Sequence, residues 1–325
     1  MRQVLSTIRH RQLSPAAYRR ITLLAVWALG FIILTGGAVR VSGSGLGCPD
    51  WPNCGRQQLV APWQYHAMVE FGNRVVTAIV SIAVILAVLG ALVRCPRRQD
   101  LTWLSWGLVA GVLAQIVLGG ETVKHHLAPG FVMSHFLLSM LLLWDAVVLH
   151  HRAKWPDDRG RPRRLVPAEQ IVMSRIVVLA AGVVIFLGTV VTSSGPHGGD
   201  PQARRLSFSL HDVARLHGSA VMLFLFFTLL TLGTMVYTGA PASIIRAGEV
   251  MLVALVTQGT VGYVQYFTGV PAWLVAIHIG LAALVWALTL RFALSLVEHP
   301  PASDVTEAPV AAGFAVLSKP DPVPA

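Results

Sequence analysis

Three histidines stand inside long apolar runs, and two of them share a spacing. Gln115, Gly119, Pro129 and His135 are repeated as Gln258, Gly262, Pro271 and His278. The third, in Ala214-Arg-Leu-His217-Gly218, matches the earlier Glu70-Phe-Gly-Asn73-Arg74, so its counterpart in the first half is Asn73. An ionisable side chain within apolar sequence is costly and usually faces a bundle interior. Imidazole is also an axial ligand for a haem iron, and two facing helices of a four-helix bundle can offer one each. Taken singly, each histidine could simply donate a hydrogen bond to a neighbouring helix. Their repeat-related positions favour ligation, most clearly for His217 and His278.

Glu70 breaks the repetition, because its counterpart is Ala214. A carboxylate at the edge of an apolar zone needs either a partner or a chemical task. Arg74 is available as an i+4 partner. Otherwise Glu70 makes the first half the reactive one, an acid–base group beside a metal ligand, and leaves the second half a plain bis-histidine electron carrier. Arg40 and Arg74 lie at span ends, where arginine can snorkel or can bind the carboxylate arms of a porphyrin. His125, His126, His150, His151, His197 and His211 fall in loops or at span ends and are expected to be solvated; His10 and His299 lie in tails.

These residues are carried by eight apolar stretches, expected at 21–40, 73–93, 101–120, 131–150, 170–192, 216–238, 247–267 and 272–296. Each is near the roughly 20 residues that cross a hydrocarbon core. Only 12% of the 325 residues are charged, against about 25% in soluble domains. The fold class expected is therefore an all-α polytopic membrane protein, eight transmembrane helices forming two pseudo-twofold-related four-helix bundles. Its divisions are a cytoplasmic tail (1–20), a first half (21–153), a basic linker (154–168), a second half (169–297) and a disordered tail (298–325).

Basic residues set the orientation. Arg2, Arg9, Arg11, Arg19 and Arg20, then Arg94, Arg97 and Arg98, then Arg152 to Arg164 alternate with loops poor in Lys and Arg. That bias places both termini in the cytoplasm. The net charge of +10 thus reflects topology beside a lipid bilayer, and a nucleic-acid partner is not expected. Asn73, His135, His217 and His278 then share one depth, roughly 10 Å below the outer surface. Cys48 and Cys54 share an outer loop, where an oxidising compartment permits a disulfide, whereas Cys95 should stay reduced. The arginine-rich start could mimic a transit peptide, but it abuts the first span, and a bacterial plasma membrane is the simpler expectation.

The run from Gly36-Gly-Ala-Val-Arg40-Val-Ser-Gly-Ser44 into Cys48-Pro-Asp-Trp-Pro-Asn-Cys54, with Glu70-Phe-Gly-Asn73-Arg74 after it, closely resembles the haem A synthase family. The resemblance runs through all eight spans. It implies an oxidoreductase that converts the C8 methyl of haem O to a formyl group. It further implies a haem b held by His217 and His278, a substrate haem near Glu70 and His135, and a Cys48–Cys54 disulfide. Oxygen would derive from water and electrons would leave through the second haem to an unidentified acceptor. A haem O synthase would supply the substrate and haem–copper oxidase assembly would receive the product; a homo-oligomer is compatible with the sequence. The chain departs from the family at Asn73, where many relatives have histidine. Either His66, two turns earlier, replaces it, or the iron is five-coordinate on His135. Two other classes fit parts of the pattern: a di-haem electron-transfer subunit without substrate chemistry, and a transporter built from parallel repeats.

Overall fold

The computed structural model describes residues 12–48, 50–54 and 60–305. Eight helices follow in order: α1 (Pro15–Val41), α2 (Tyr65–Val93), α3 (Gln99–Lys124), α4 (Pro129–Arg152), α5 (Ala168–Ser194), α6 (Leu210–Tyr237), α7 (Ala242–Phe267) and α8 (Ala272–Leu294). All eight are long and apolar enough to cross a membrane. Between 22% and 39% of each apolar window is buried inside the protein, so most of every span faces outward. Exposed Ile79, Ile82, Ile85, Leu86 and Leu89 on α2 make sense only against lipid. The chain is a multi-pass membrane protein.

The helix starts follow local chemistry. Ser14 caps α1 by accepting from the Ala17 amide, and Pro15 occupies the first turn. Pro129 opens α4, while Pro167, Pro241 and Pro271 precede α5, α7 and α8. The first, second and sixth spans begin six to eight residues earlier than hydropathy suggests, at Pro15, Tyr65 and Leu210. In α2 the extra turns absorb Glu70 into the helix. Asn73, His135, His217 and His278 then lie eight, six, seven and six residues past their helix starts. At 1.5 Å per residue that is one level, roughly 9–12 Å in.

Helices α1–α4 close a ring, α1 on α2, α2 on α3, α3 on α4 and α4 on α1; α5–α8 do the same. The rings meet through α1 on α8, α4 on α8 and α4 on α5. Gly37 admits Ile279 and Gly280 admits Leu34, which brings α1 and α8 together, and the Trp286 indole donates to the Met140 carbonyl across α8 and α4. The turns between α3 and α4 and between α7 and α8 share a conformation. His126 and Leu127 have φ of 50° and 57°, and Gly269 and Val270 have 81° and 60°. A bulky residue in this left-handed region is rare and costs about 1–3 kcal/mol, so tertiary packing must hold it there.

On the other side of the molecule the linker and the end of the second half are joined. Strand β1 (Arg163–Arg164) pairs antiparallel with β2 (Val297–Glu298), and a 3-10 turn covers Ala302–Val305. The expected free tail from 298 is thus ordered as far as 305; residues 306–325 lie outside the described residues, as do Arg2, Arg9 and Arg11 of the first tail. The basic loops are also occupied. Arg94 pairs with Asp157 at 2.6 Å, Arg98 pairs with Asp100 at 2.8 Å, and Trp155 packs beneath Arg98, Arg152 and Arg159 with His299 against its ring.

The loop after α1 is closed by the Cys48–Cys54 disulfide, and Cys95 is free and exposed. Gly47 sits so close to α2 that a Cβ there would come within 2.2 Å of the His66 carbonyl oxygen, a backbone atom that cannot yield. Thiol labelling of the denatured, unreduced protein should modify Cys95 alone. Gly47→Ala should make Cys48 and Cys54 more readily reduced and labelled; three labelled cysteines in the native sequence would refute the pairing.

Candidate functional site

A continuous cavity of about 1100 Å³ runs through both rings. It exceeds the roughly 300–1,000 Å³ of a site for one drug-sized ligand. Its lining includes Glu70, Asn73 and His135 at one end and His217 and His278 at the other, with Gly37, Arg40, Ile279 and Trp286 between.

In the second ring the His217 and His278 rings face each other, their centroids 6.5 Å apart and their planes at 68°. A metal bonded to one nitrogen of each ring at about 2.0 Å, with each ring centre a little over 1 Å beyond, separates centroids by roughly 6.3 Å. Nδ1 of His135 and of His278 is buried with no hydrogen-bond partner among the described residues, whereas the His217 ring meets the Val184 backbone. An orphaned buried nitrogen is rare and calls for an explanation. Among the described residues no group of three or more His, Cys, Asp or Glu could hold a metal by itself. Two imidazoles need the remaining donors from the ligand, which is what a porphyrin supplies. The residues fit a haem.

The helix before each histidine makes room for it. A Cβ on Gly188 of α5 would lie 3.3 Å from His217 Cε1, one on Gly119 of α3 3.3 Å from His135 Cε1, and one on Gly262 of α7 2.9 Å from His278 Cε1. The paired glutamines brace the same helices. Gln115 donates to the His135 carbonyl at 3.0 Å and to the Ser139 hydroxyl at 2.7 Å, and Gln258 donates to the His278 carbonyl at 3.0 Å.

Glu70 is buried at the first-half end and has two partners. One oxygen pairs with Arg74 at 2.7 Å and the other accepts from the Cys48 amide at 2.8 Å. Arg74 also donates to the Pro52, Asn53 and Asp50 carbonyls and lies over the Trp51 ring. The disulfide loop is therefore tied to α2, and it carries Trp51 over Gly120 into the cavity wall. Arg40 crosses to the second half, donating to the His197 carbonyl at 2.9 Å and the Thr192 carbonyl at 3.0 Å. Both arginines line the cavity; the donors named here serve backbone carbonyls and, for Arg74, Glu70, while no hydrogen bond of Arg40 Nη1 is found among the described residues.

His66 does not take Asn73's place. It is exposed, bonds Ser44 Oγ at 2.9 Å and is absent from the cavity wall. The sequence reading missed Trp51, the bracing of Gln115 and Gln258, and Arg215, a cation on the wall with no ion pair among the described residues. It also missed His197, a wall residue whose Nε2 meets the Val270 carbonyl at 2.8 Å. For the glutamines the signal was present in their shared spacing; for Arg215 there was none beyond its place beside His217.

A family model described as cytochrome oxidase assembly protein (COX15-CtaA) matches residues 60–196. A protein named heme A synthase from Geobacillus kaustophilus is 35% identical over 113 residues, 34% of this chain and 35% of that protein. One of the same name from Shewanella oneidensis is 29% identical over 191 residues, 53% of each chain. A Thermus thermophilus protein named protoheme IX farnesyltransferase is 25% identical over 300 residues, 82% of this chain but 46% of that protein. The chain thus spans about a third to a half of the length of the curated relatives it matches.

Two glycines test the histidine cradle. Gly262→Ala should push the His278 ring aside and shift or weaken the visible absorption of any iron porphyrin in the purified protein. Gly233→Ala on α6, where a Cβ meets nothing within 4 Å and which lies outside the cavity wall, should leave it unchanged. Equal spectra for both variants would remove His278 from the binding site.

Proposed function

Because this chain belongs to the haem A synthase family, we propose that it oxidises the C8 methyl of haem O to a formyl group, yielding haem A for terminal oxidases. The observation that carries the reading is one cavity lined by a facing histidine pair and, in the first half, by both His135 and the unmatched acid Glu70. In this reading His217 and His278 hold a haem b, and His135 takes the iron of the substrate haem. The bound porphyrins supply the redox chemistry.

The chain's own residues supply position and proton handling. Converting a methyl group and a water to a formyl group releases four electrons and four protons. His217 and His278 would hold one iron between them, and an iron so held would serve electron transfer in preference to substrate chemistry. Glu70 is the acid on the first-half wall, and Arg74 and the Cys48 amide hold its carboxylate in one orientation. It is our candidate to accept protons released at the substrate carbon. Trp51 and the disulfide loop cover that end and restrict water. Arg215 and Arg40 are wall cations with no ion pair among the described residues, and either suits a porphyrin carboxylate.

The same reading places the protein in a bacterial plasma membrane with both termini in the cytoplasm. A haem O synthase would supply substrate, haem–copper oxidase assembly would receive product, and an acceptor outside this chain would take the electrons. The Thermus relative supports the link to supply, since more than half of that protein, named a farnesyltransferase, lies outside the match.

His217→Ala and His278→Ala should each abolish the low-spin b-haem spectrum while the protein still inserts; a normal spectrum in both would rule out the ligand pair. Glu70→Gln should keep that spectrum and lower conversion of haem O about 10²–10⁴-fold, the usual cost of a positioned acid–base group. Arg74→Gln separates chemistry from support. If it matches Glu70→Gln in both turnover and exposure of the Cys48–Cys54 pair, the acid only anchors the loop.

A further inference from the structure

Three of the four repeat-related positions obey one rule: a histidine ring fills the space beside a glycine of the preceding helix. The fourth pairs Asn73 of α2 with Gly36 of α1, and there a Cβ on the glycine would meet nothing within 4 Å. The cradle is kept and the ring that fills it elsewhere is missing. Asn73 is shorter, and it is held: Thr35, the neighbour of Gly36, donates to its Oδ1 at 2.8 Å. That leaves the amide Nδ2 without a partner among the described residues, on a side chain that lines the cavity. His135 lies at the matching depth in the same ring of helices, as His278 does opposite His217.

We propose that Gly36, Thr35 and Asn73 form a binding pocket for a small, hydrogen-bond-accepting ligand on the face of the substrate iron opposite His135. This rests on the reading of the first half as the substrate site. Gly36 supplies the volume, and the Asn73 amide, fixed by Thr35, donates a hydrogen bond to the ligand. An asparagine amide nitrogen is no competitor for iron, because its lone pair is delocalised into the carbonyl, so the pocket stays open where a histidine would close it. The two halves then differ in coordination as well as in acidity: the second is closed on both faces, the first on one.

The test uses the full-length, haem-loaded protein and two probes, cyanide for ferric and carbon monoxide for ferrous iron. One haem per chain should bind each probe and the other, held by His217 and His278, should bind neither. Asn73→His should convert the reactive haem to a six-coordinate low-spin species and suppress binding of both probes. Asn73→Leu should leave carbon monoxide binding nearly unchanged and weaken the better acceptor, cyanide, about fivefold, the loss of one neutral hydrogen bond. Gly36→Leu should block both probes without removing the haem. A native protein in which His135→Ala removes one haem, yet in which neither probe binds, would overturn the pocket and leave the substrate site standing. If His135→Ala changes neither haem content nor spectrum, the site and the pocket both fall. Equal weakening of both probes by Asn73→Leu would refute the hydrogen bond.

Discussion

An imidazole can reach the middle of a tightly packed helix ring only if the helix beside it gives up a side chain. Gly119, Gly188 and Gly262 do this for His135, His217 and His278, each with a ring atom about 3 Å from where a Cβ would be. Overpacking such a contact costs about 1–3 kcal/mol. The arrangement also strands a polar atom at His135 and His278, whose Nδ1 is buried with no partner among the described residues. A buried unsatisfied donor or acceptor costs about 1–3 kcal/mol, and these two occupy equivalent places. A bundle selected for stability alone would fill these positions with leucine. Their retention makes sense when a ligand binding at the same rings offsets the cost.

The outer surface of the cavity depends on two arginines, and each does structural work. Arg74 gathers the carbonyls of Asp50, Pro52 and Asn53 and pairs with Glu70, so the loop closed by Cys48 and Cys54 is tied to the helix that carries the acid. Removing one partner of a largely buried ion pair leaves the other uncompensated, which is why these groups act as a unit. Arg40 reaches from the first half to His197 and Thr192 of the second, and the Gly45 amide bonds the Gly199 carbonyl beside it. Leu127 packs under both of those glycines, and that packing holds it in a left-handed conformation. The two loops therefore form one roof, and a change in either half is felt over both ends of the cavity.

Hydropathy made the eight helices legible because lipid demands long apolar runs, and repetition made the four interior positions legible because the scaffold is duplicated. Glu70 was readable as an exception to that repetition, though its two partners were not. What escaped the sequence depends on contacts distant along the chain. Arg40 meets residues more than 150 positions away, and nothing local distinguishes an arginine bound to carbonyls from one free for a ligand. His66 has the right spacing from Asn73, but the helix start leaves it at the rim beside Ser44. Leu127 and Val270 adopt positive φ without being glycine, so no turn signal announces them. The basic linker and the segment after α8 looked like solvated tails by composition, yet Arg163 and Glu298 face each other across a two-residue strand pair.

If the halves have the separate tasks proposed for them, the repeated sequence pattern shows how little needs to differ between them. Positions 70 and 73 lie three apart on α2 and so share a face. Their counterparts on α6 are Ala214 and His217. Exchanging alanine for an acid and histidine for asparagine within one turn leaves the glycine cradles, the bracing glutamines and the depth of the site untouched. On the reading proposed here, those two changes turn a closed electron-carrying site into one with a proton acceptor and an open metal face. The shared cavity then matters as much as the difference. If the first half reacts as proposed and must lose electrons one at a time, it needs a carrier held close and in fixed orientation. The contacts of α8 with α1 and α4 supply that by joining the two rings without a hinge between them.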